Sequence, residues 1–453
     1  MLSHSSAVDN FGGAERSMVE FLDEWRAAEP KLELFVISRS PSGLLQPALD
    51  ERGIPWMNLP FTSVVRHRRS TDAGEIYESA RLDFAAIRAI ERFIREYRAD
   101  LVVTNTIVAP WAAIASRLVP VPHVWFVREY GDGHEFQIPH EDVFTDIGIL
   151  SDLVVTNSEA LRDHIAQWIE PQKITVAYPA LEATRSREIG SSDVDVQWPI
   201  AGERIPGSIR LVCVGRISPS KGQARLVRAL ALLRDSGVHA EAVFVGSATE
   251  SDRRALEMLV EDLDVGDRVA LTGERLDPRP IVDLADAGVV VSDSEGFGRV
   301  TVEYMSAGKP VIGAAVGATV ELIDHDVTGR LFTLDDPESL AQAIDAYVTH
   351  PESLVAHGRA AVERLRDDIS QRHRPAELIP RLSELTRAEP QPLTSLPRVM
   401  HAWFALPEIV VDLLFSSGAM VDPTTSRTWK IGHAALAVPR FVARAARRRG
   451  VQR

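Results

Sequence analysis

The sequence predicts two α/β domains in tandem, each a parallel sheet wrapped by helices. Short β-rich runs alternate with helix-length amphipathic segments over residues 1–181, and after a break the alternation resumes over 208–370. Such alternation places helices on the faces of a parallel sheet. The break, residues 182–207, is polar, punctuated by Gly and Pro and without periodicity, which marks a connection between domains. At 453 residues the chain is also too long for one ordinary core.

The first series contains the runs "KLELFVIS", "IPWMNLP", "ADLVVTN", "PHVWFVRE", "SDLVVTNS" and "KITVAYP". The strand that should precede them, central and buried on both faces, has almost no sequence in "MLSHSS", and a start of translation farther upstream is the expectation. "ESARLDFAAIRAIERFIREY" spaces Leu82, Ala85/Ala86, Ala89/Ile90 and Phe93 at helical intervals, predicting a helix that lays this face on the sheet. The second series supplies "IRLVCVG", "AEAVFVG", "RVALTG", "AGVVVSDS" and "KPVIGA". Open parallel sheets bind ligands beyond the carboxyl ends of their strands, so two sheets facing each other share one central cleft. Residues 371–453 form a helical tail with a basic amphipathic end.

A composition of 45% hydrophobic and 25% charged residues is that of a globular chain. One cysteine, Cys213, excludes an intramolecular disulfide framework and suits a reducing, cytoplasmic compartment. The start carries no visible signal peptide, and no run of 18 uncharged apolar residues occurs. A net charge of -14 argues against nucleic acid as a partner. The last 33 residues run the other way, with eight Lys/Arg against Asp422 alone. A basic amphipathic segment over 430–453 suits an anionic membrane surface.

Chemistry concentrates in "SEGFGRVTVEYMSAGKP", Ser294 to Pro310, at the end of an apolar run. Glu295 falls in a strand-to-helix turn, Gly296 and Gly298 allow a tight backbone, and a helix begins near Arg299. The unpaired N–H groups of a helix start attract phosphate. Glu303, inside that helix, is placed to accept two hydrogen bonds from a ribose diol. A second constellation, "VGRISPSKG", puts Arg216 and Lys221 on a loop and helix start, where two cations neutralise a diphosphate leaving group. The chain has five lysines against 45 arginines, so a lysine kept at 221 points to a need for a compact charge.

"GRISPSKG", followed by "SEGFGRVTVEYMSAGKPVI" and "VTGRLF", resembles the retaining family 4 glycosyltransferases over roughly residues 1–370. The resemblance implies the GT-B fold, two Rossmann-like domains with parallel sheets facing a central cleft. It implies that Arg216 and Lys221 hold the donor diphosphate and that Glu295 touches donor-sugar hydroxyls. It places the amides of Gly296, Phe297, Gly298 and Val300 along sugar and phosphates, and Glu303 on the ribose. Gly273 to Leu276, with Arg275 between, fall where members contact the nucleobase. Gly12 and Gly13 in "NFGGAERSMVEFL" resemble the family's glycine loop beside the diphosphate and acceptor. No metal and no cofactor are implied.

The chain departs from the family in one place that bears on catalysis. Many members carry a His, aimed at the donor sugar, at the end of the strand matching "PHVWFV". Here Arg128-Glu129 stand there, with His134 five residues on, and the three are acceptor-side candidates. The resulting expectation is a retaining enzyme, cytoplasmic and peripheral on the inner face of the cell membrane. It would move a sugar from a nucleoside diphosphate sugar to a polysaccharide or lipid-linked saccharide in cell-surface glycan synthesis. Two alternatives stay open: a GT-B enzyme acting on a storage glucan or small sugar, and a nucleotide-binding scaffold without turnover.

Overall fold

Thirteen strands, all paired in parallel, make two sheets in a computed structural model that describes residues 1–3, 12–39, 43–64, 73–131, 140–180, 196–390, 393, 395 and 397–400. The first sheet holds β1 (Leu2–Ser3), β2 (Val36–Arg39), β3 (Trp56–Leu59), β4 (Val102–Thr104), β5 (His123–Val127), β6 (Leu153–Thr156) and β7 (Ile174–Val176). Its order is β3-β2-β1-β4-β5-β6-β7. The second holds β8 (Ile209–Val214), β9 (Ala240–Val245), β10 (Val269–Leu271), β11 (Ala287–Val290), β12 (Val311–Ala314) and β13 (Gly329–Phe332), in the order β10-β9-β8-β11-β12-β13.

Each β-rich run read from the sequence forms a strand. β1 is central and only two residues long, pairing with β2 and β4. β13 has no counterpart among those runs: it starts on a glycine and carries Arg330, so it lacks an apolar signature. The sheets are covered on both faces, and side chains alternate between layers as strand geometry requires. On β5, Val124 and Phe126 enter one core cluster while Trp125 and Val127 enter the other.

The first domain carries α1 (Gly13–Ala28), α2 (Leu45–Asp50), α3 (Ala73–Tyr97), α4 (Trp111–Leu118), α5 (His140–Leu150) and α6 (Glu159–Ile165). The second carries α7 (Gln223–Asp235), α8 (Glu250–Asp262), α9 (Arg279–Leu284), α10 (Arg299–Ser306), α11 (Thr319–Leu322), α12 (Pro337–Thr349) and α13 (Glu352–Asp367). α3 forms as expected, but its buried face is turned from the one the spacing suggested. Ala86, Ile87, Ile90 and Ile94 are buried, whereas Ala85 is exposed and Leu82 and Phe93 are only partly covered. The cause is Asp83, which lies within the buried face and accepts hydrogen bonds from the Thr62 amide (2.6 Å) and hydroxyl (2.7 Å). A buried polar residue anchors this face.

After α13 the chain returns to the first domain. α14 (Pro375–Leu385) buries Leu378, Ile379 and Leu382 in the cluster that holds Met18, Phe21 and Trp25 of α1. Farther on, Arg398 pairs with Asp142 (2.7 Å) and Glu141 (3.0 Å) at the start of α5. Residues 182–195 of the connection, and the basic segment 430–453, lie outside the described residues. Among the described residues no helix is long and apolar enough to cross a membrane.

Strand order fixes where a site can form. The order reverses between β1 and β4 and between β8 and β11. Helices leaving such a pair go to opposite faces, which opens a crevice at the carboxyl ends of the strands.

Candidate functional site

The second-domain wall begins where β8 ends. Gly215 and Gly222 have positive φ (148° and 69°), and the short turn Pro219–Lys221 between them carries the lysine toward the cleft. At Gly222 a β-carbon would come within 2.1 Å of the Val291 carbonyl oxygen, so only glycine lets the turn lie against β11. Lys221 Nζ then donates to Glu295 Oε1 at 2.7 Å, and Ser292 Oγ donates to the same oxygen at 2.7 Å. The Glu295 carbonyl is held by the Ala318 amide at 3.0 Å.

The turn after Glu295 sits between both domains. A β-carbon on Gly296 would lie 2.0 Å from the Arg128 carbonyl oxygen of the first domain. The Phe297 ring is buried against Tyr178, with centroids 5.1 Å apart, so this side chain anchors the turn in the core. Gly298 (φ 84°) starts α10 without offering a side-chain cap, leaving its first amides to other acceptors. α10 is fixed from below by Tyr304, whose hydroxyl accepts from the Val214 amide (2.7 Å) and donates to the Val212 carbonyl (3.2 Å). Gly288 on β11 makes room for that ring.

The first-domain wall comes from the start of α1 and the ends of β5 and β6. Gly12 starts α1 without a side-chain cap, as Gly298 does for α10. Arg128 is buried; its Nε donates to Asn105 Oδ1 at 2.8 Å and its guanidinium lies over the Phe126 ring at 5.3 Å. Burial lowers its pKa to about 10. Burial also raises Glu129 to about 7, against the opposing pull of Arg128. Asn157, 7% exposed, donates from Nδ2 to the Arg128 carbonyl at 3.3 Å. Among the described residues, Glu129 Oε2 and Asn157 Oδ1 are sealed from solvent with no hydrogen-bond partner.

Between these walls lies a cavity of about 300 Å³. It brings together Gly13, Arg128 and Glu129 from the first domain with Lys221, Glu295, Gly296, Phe297, Gly298 and Val300 from the second. Other residues singled out in the sequence stand off from it. Arg216 is exposed on the loop after β8. Gly12 flanks the cavity next to Gly13, and Glu303 is half-buried one turn inside α10. Gly273, Arg275 and Leu276 form an exposed loop after β10, with Leu276 97% exposed. The Gly246 amide ties that loop to the end of β9 through the Gly273 carbonyl (2.9 Å). His134 lies outside the described residues.

Several lining residues were not assigned to the site from the sequence: Ser17, Asn157, Cys213, Gln223, Ser292 and Arg299. Asn157, Cys213 and Ser292 lie at or beyond the carboxyl ends of β6, β8 and β11, so the strand-end rule alone would have found them. Burial pushes the Cys213 thiol up to about 12, leaving it a neutral floor group. Asp293, next to the site, pairs with Arg225 (2.6 Å).

Two family models match the chain: Glycosyltransferase Family 4 over residues 11–185 and Glycosyl transferases group 1 over residues 208–350. The chain belongs to the family 4 glycosyltransferases.

Relatives of this family 4 chain differ in what their names say they make. One is a lipopolysaccharide core biosynthesis mannosyltransferase of Rhizobium leguminosarum, 31% identical over 37% of this chain and 48% of its own. Another is a D-inositol 3-phosphate glycosyltransferase of Nocardia farcinica, 28% identical over 69% of this chain and 68% of its own. A glycogen synthase of Mycobacterium tuberculosis is 28% identical over 56% of this chain and 59% of its own. The chain thus spans about half the length of the first curated relatives it matches. Among solved structures, Anabaena HepE in complex with UDP and glucose has a TM-score of 0.63 at 22% identity, over 84% of this chain and 97% of the other. That likeness gives the fold, which is GT-B.

Proposed function

We propose that this protein is a retaining, metal-independent glycosyltransferase that moves a sugar from a nucleoside diphosphate sugar to a polysaccharide or lipid-linked saccharide acceptor. The observation that carries the reading is the Lys221–Glu295 pair beside the uncapped start of α10, at the strand-order reversal of the second sheet. A cation, free helix amides and a carboxylate then stand together. The first two suit a diphosphate whose charge grows as the bond to the sugar breaks, and the third suits the sugar's hydroxyls. The UDP and glucose named with HepE support a uridine donor, and the lipopolysaccharide relative supports an acceptor in cell-surface glycan.

In this mechanism the acceptor hydroxyl attacks from the face the diphosphate leaves. The new C–O bond forms as the old one breaks, and the departing phosphate takes the hydroxyl proton. Lys221 and Arg216 stabilise the charge that develops on that phosphate, and Glu303 holds the ribose. A position on the inner face of the membrane, through residues 430–453, belongs to the same reading.

The test is a thermal-shift titration with UDP, GDP, ADP and dTDP on the wild type and on Glu303→Ala, with EDTA present. A ligand of the native state raises its melting temperature by mass action. One nucleotide should shift the wild type and lose its effect in the variant. A shift that needs added metal, or that survives in Glu303→Ala, counts against the reading. Proton NMR of the first product's anomeric centre then decides retention.

A further inference from the structure

Arg299 is the first residue of α10, and its charge is on the wrong end of that helix. A helix start carries a partial positive charge, so a cation there opposes the dipole. The obvious use of such an arginine is to grip the donor phosphate, yet its guanidinium is already engaged. Nη1 donates to Glu20 Oε2 at 2.7 Å and to Ser17 Oγ at 3.1 Å, and Nη2 donates to Glu20 Oε1 at 3.0 Å. Both partners lie on α1 of the other domain, one turn apart. The pair is four-fifths buried on each side, where screening by salt is weaker than at a surface. The stem takes part too, since a β-carbon on Gly13 would lie 3.4 Å from Arg299 Cδ.

We infer that Arg299 is a positioning residue: clamped by Glu20 and Ser17, it seats the glycine turn of α1 against the start of α10 and so holds the two walls at working distance. A fork-to-fork pair of this kind fixes orientation as well as distance, which a lysine or a single hydrogen bond does not. The inference rests on the reading of the cleft as a nucleotide-sugar site. It differs in assigning Arg299 to the closed geometry and not to the phosphate.

A double-mutant cycle separates the two roles, using Arg299→Met, which keeps the stem, Glu20→Ala, and both together. UDP and UDP-glucose are the probes, with donor turnover, nucleotide affinity and small-angle scattering as readouts. Each single variant should lower kcat about ten- to a hundred-fold, the cost of a small misplacement of reacting groups. UDP affinity should stay within about three-fold, because contacts common to ground and transition states are kept. The double variant should be no worse than either single one, since the two residues act as one unit. Scattering should show all three variants more open than the wild type. Effects that add, or a Glu20→Ala variant that binds UDP more tightly while Arg299→Met binds it more weakly, would make Arg299 a phosphate ligand and overturn the inference. If the wild type binds neither probe, the nucleotide-sugar reading fails, and the scattering arm still decides whether the pair holds the domains together.

Discussion

On the second-domain side of the cleft the charged groups are ion-paired, whereas on the first-domain side two buried oxygens have no hydrogen-bond partner among the described residues. Lys221 pairs with Glu295, and Arg225 pairs with Asp293 and Asp335. Across the cavity, the two oxygens are Oε2 of Glu129 and Oδ1 of Asn157. A buried polar atom left unpaired costs about 1–3 kcal/mol. The difference teaches how such a cleft divides its work. On the proposed reading the second wall is set in advance for the diphosphate of a nucleoside diphosphate sugar. The first wall holds unmet hydrogen-bonding capacity, which on the same reading a sugar or acceptor hydroxyl satisfies.

The largest expected effect tests the prepared wall. Lys221→Ala should lower kcat about a hundred- to a thousand-fold, the range seen when one group aimed at developing charge is removed. Donor affinity should fall far less, because the charge on the bridging oxygen exists only as the bond breaks. Steady-state kinetics against a nucleotide titration separates the two, and a loss confined to affinity would make Lys221 a ground-state anchor.

A middling effect tests the unprepared wall through pH. The carboxyl of Glu129 is raised by burial from 4.5 to about 7. The folded state therefore binds its proton more tightly than the unfolded chain does, and stability from this group falls as pH rises from about 4.5 to 7. The full swing is on the order of 1–3 kcal/mol. His123 works in the opposite sense. It is buried between Thr104 (2.9 Å) and Ser151 (3.2 Å) and held well below 6.5 by burial, so stability is lost as pH falls below its ordinary value. Only a difference isolates Glu129: wild type minus Glu129→Gln, by chemical denaturation at pH 5 and 7.5. The variant should gain relative stability at the higher pH. Parallel pH profiles would place Glu129 as an ordinary solvated carboxylate and blunt the contrast between walls.

How much of this was legible follows the same division. The strand runs, the turn around Glu295 and the Lys221 loop stand out because they are local: apolar runs, glycines that a turn needs, charges a few residues apart. The rotated face of α3 was not legible, since Asp83 is buried only because Thr62, twenty-one residues earlier, offers it an amide and a hydroxyl. β13 was missed for want of an apolar run. The pairing of Arg299 with Glu20 joins residues 279 apart in sequence, and no pattern within either segment announces it. Arg216, Glu303 and the Gly273–Leu276 loop are not in the lining of the cavity. Their proposed roles depend on a ligand long enough to reach them.

The smallest expected effect lies at a second contact between the domains, centred on Glu321. Glu321 of α11 accepts the amides of Glu159 (3.1 Å) and Ala160 (2.5 Å) at the start of α6, and the Tyr178 hydroxyl at 3.0 Å. A second-domain carboxylate thus caps a first-domain helix, which favours it through the helix dipole. α6 keeps its own cap, Ser158 Oγ accepting from Leu161 at 3.1 Å, so Glu321→Gln should cost only about 1 kcal/mol. Activity should change by no more than about three-fold if the walls themselves hold the chemistry. Differential scanning fluorimetry and donor turnover, measured on the same preparation, make the comparison. Should turnover fall as far as in Lys221→Ala while melting barely moves, the contrast between the walls would matter less than this second contact between the domains.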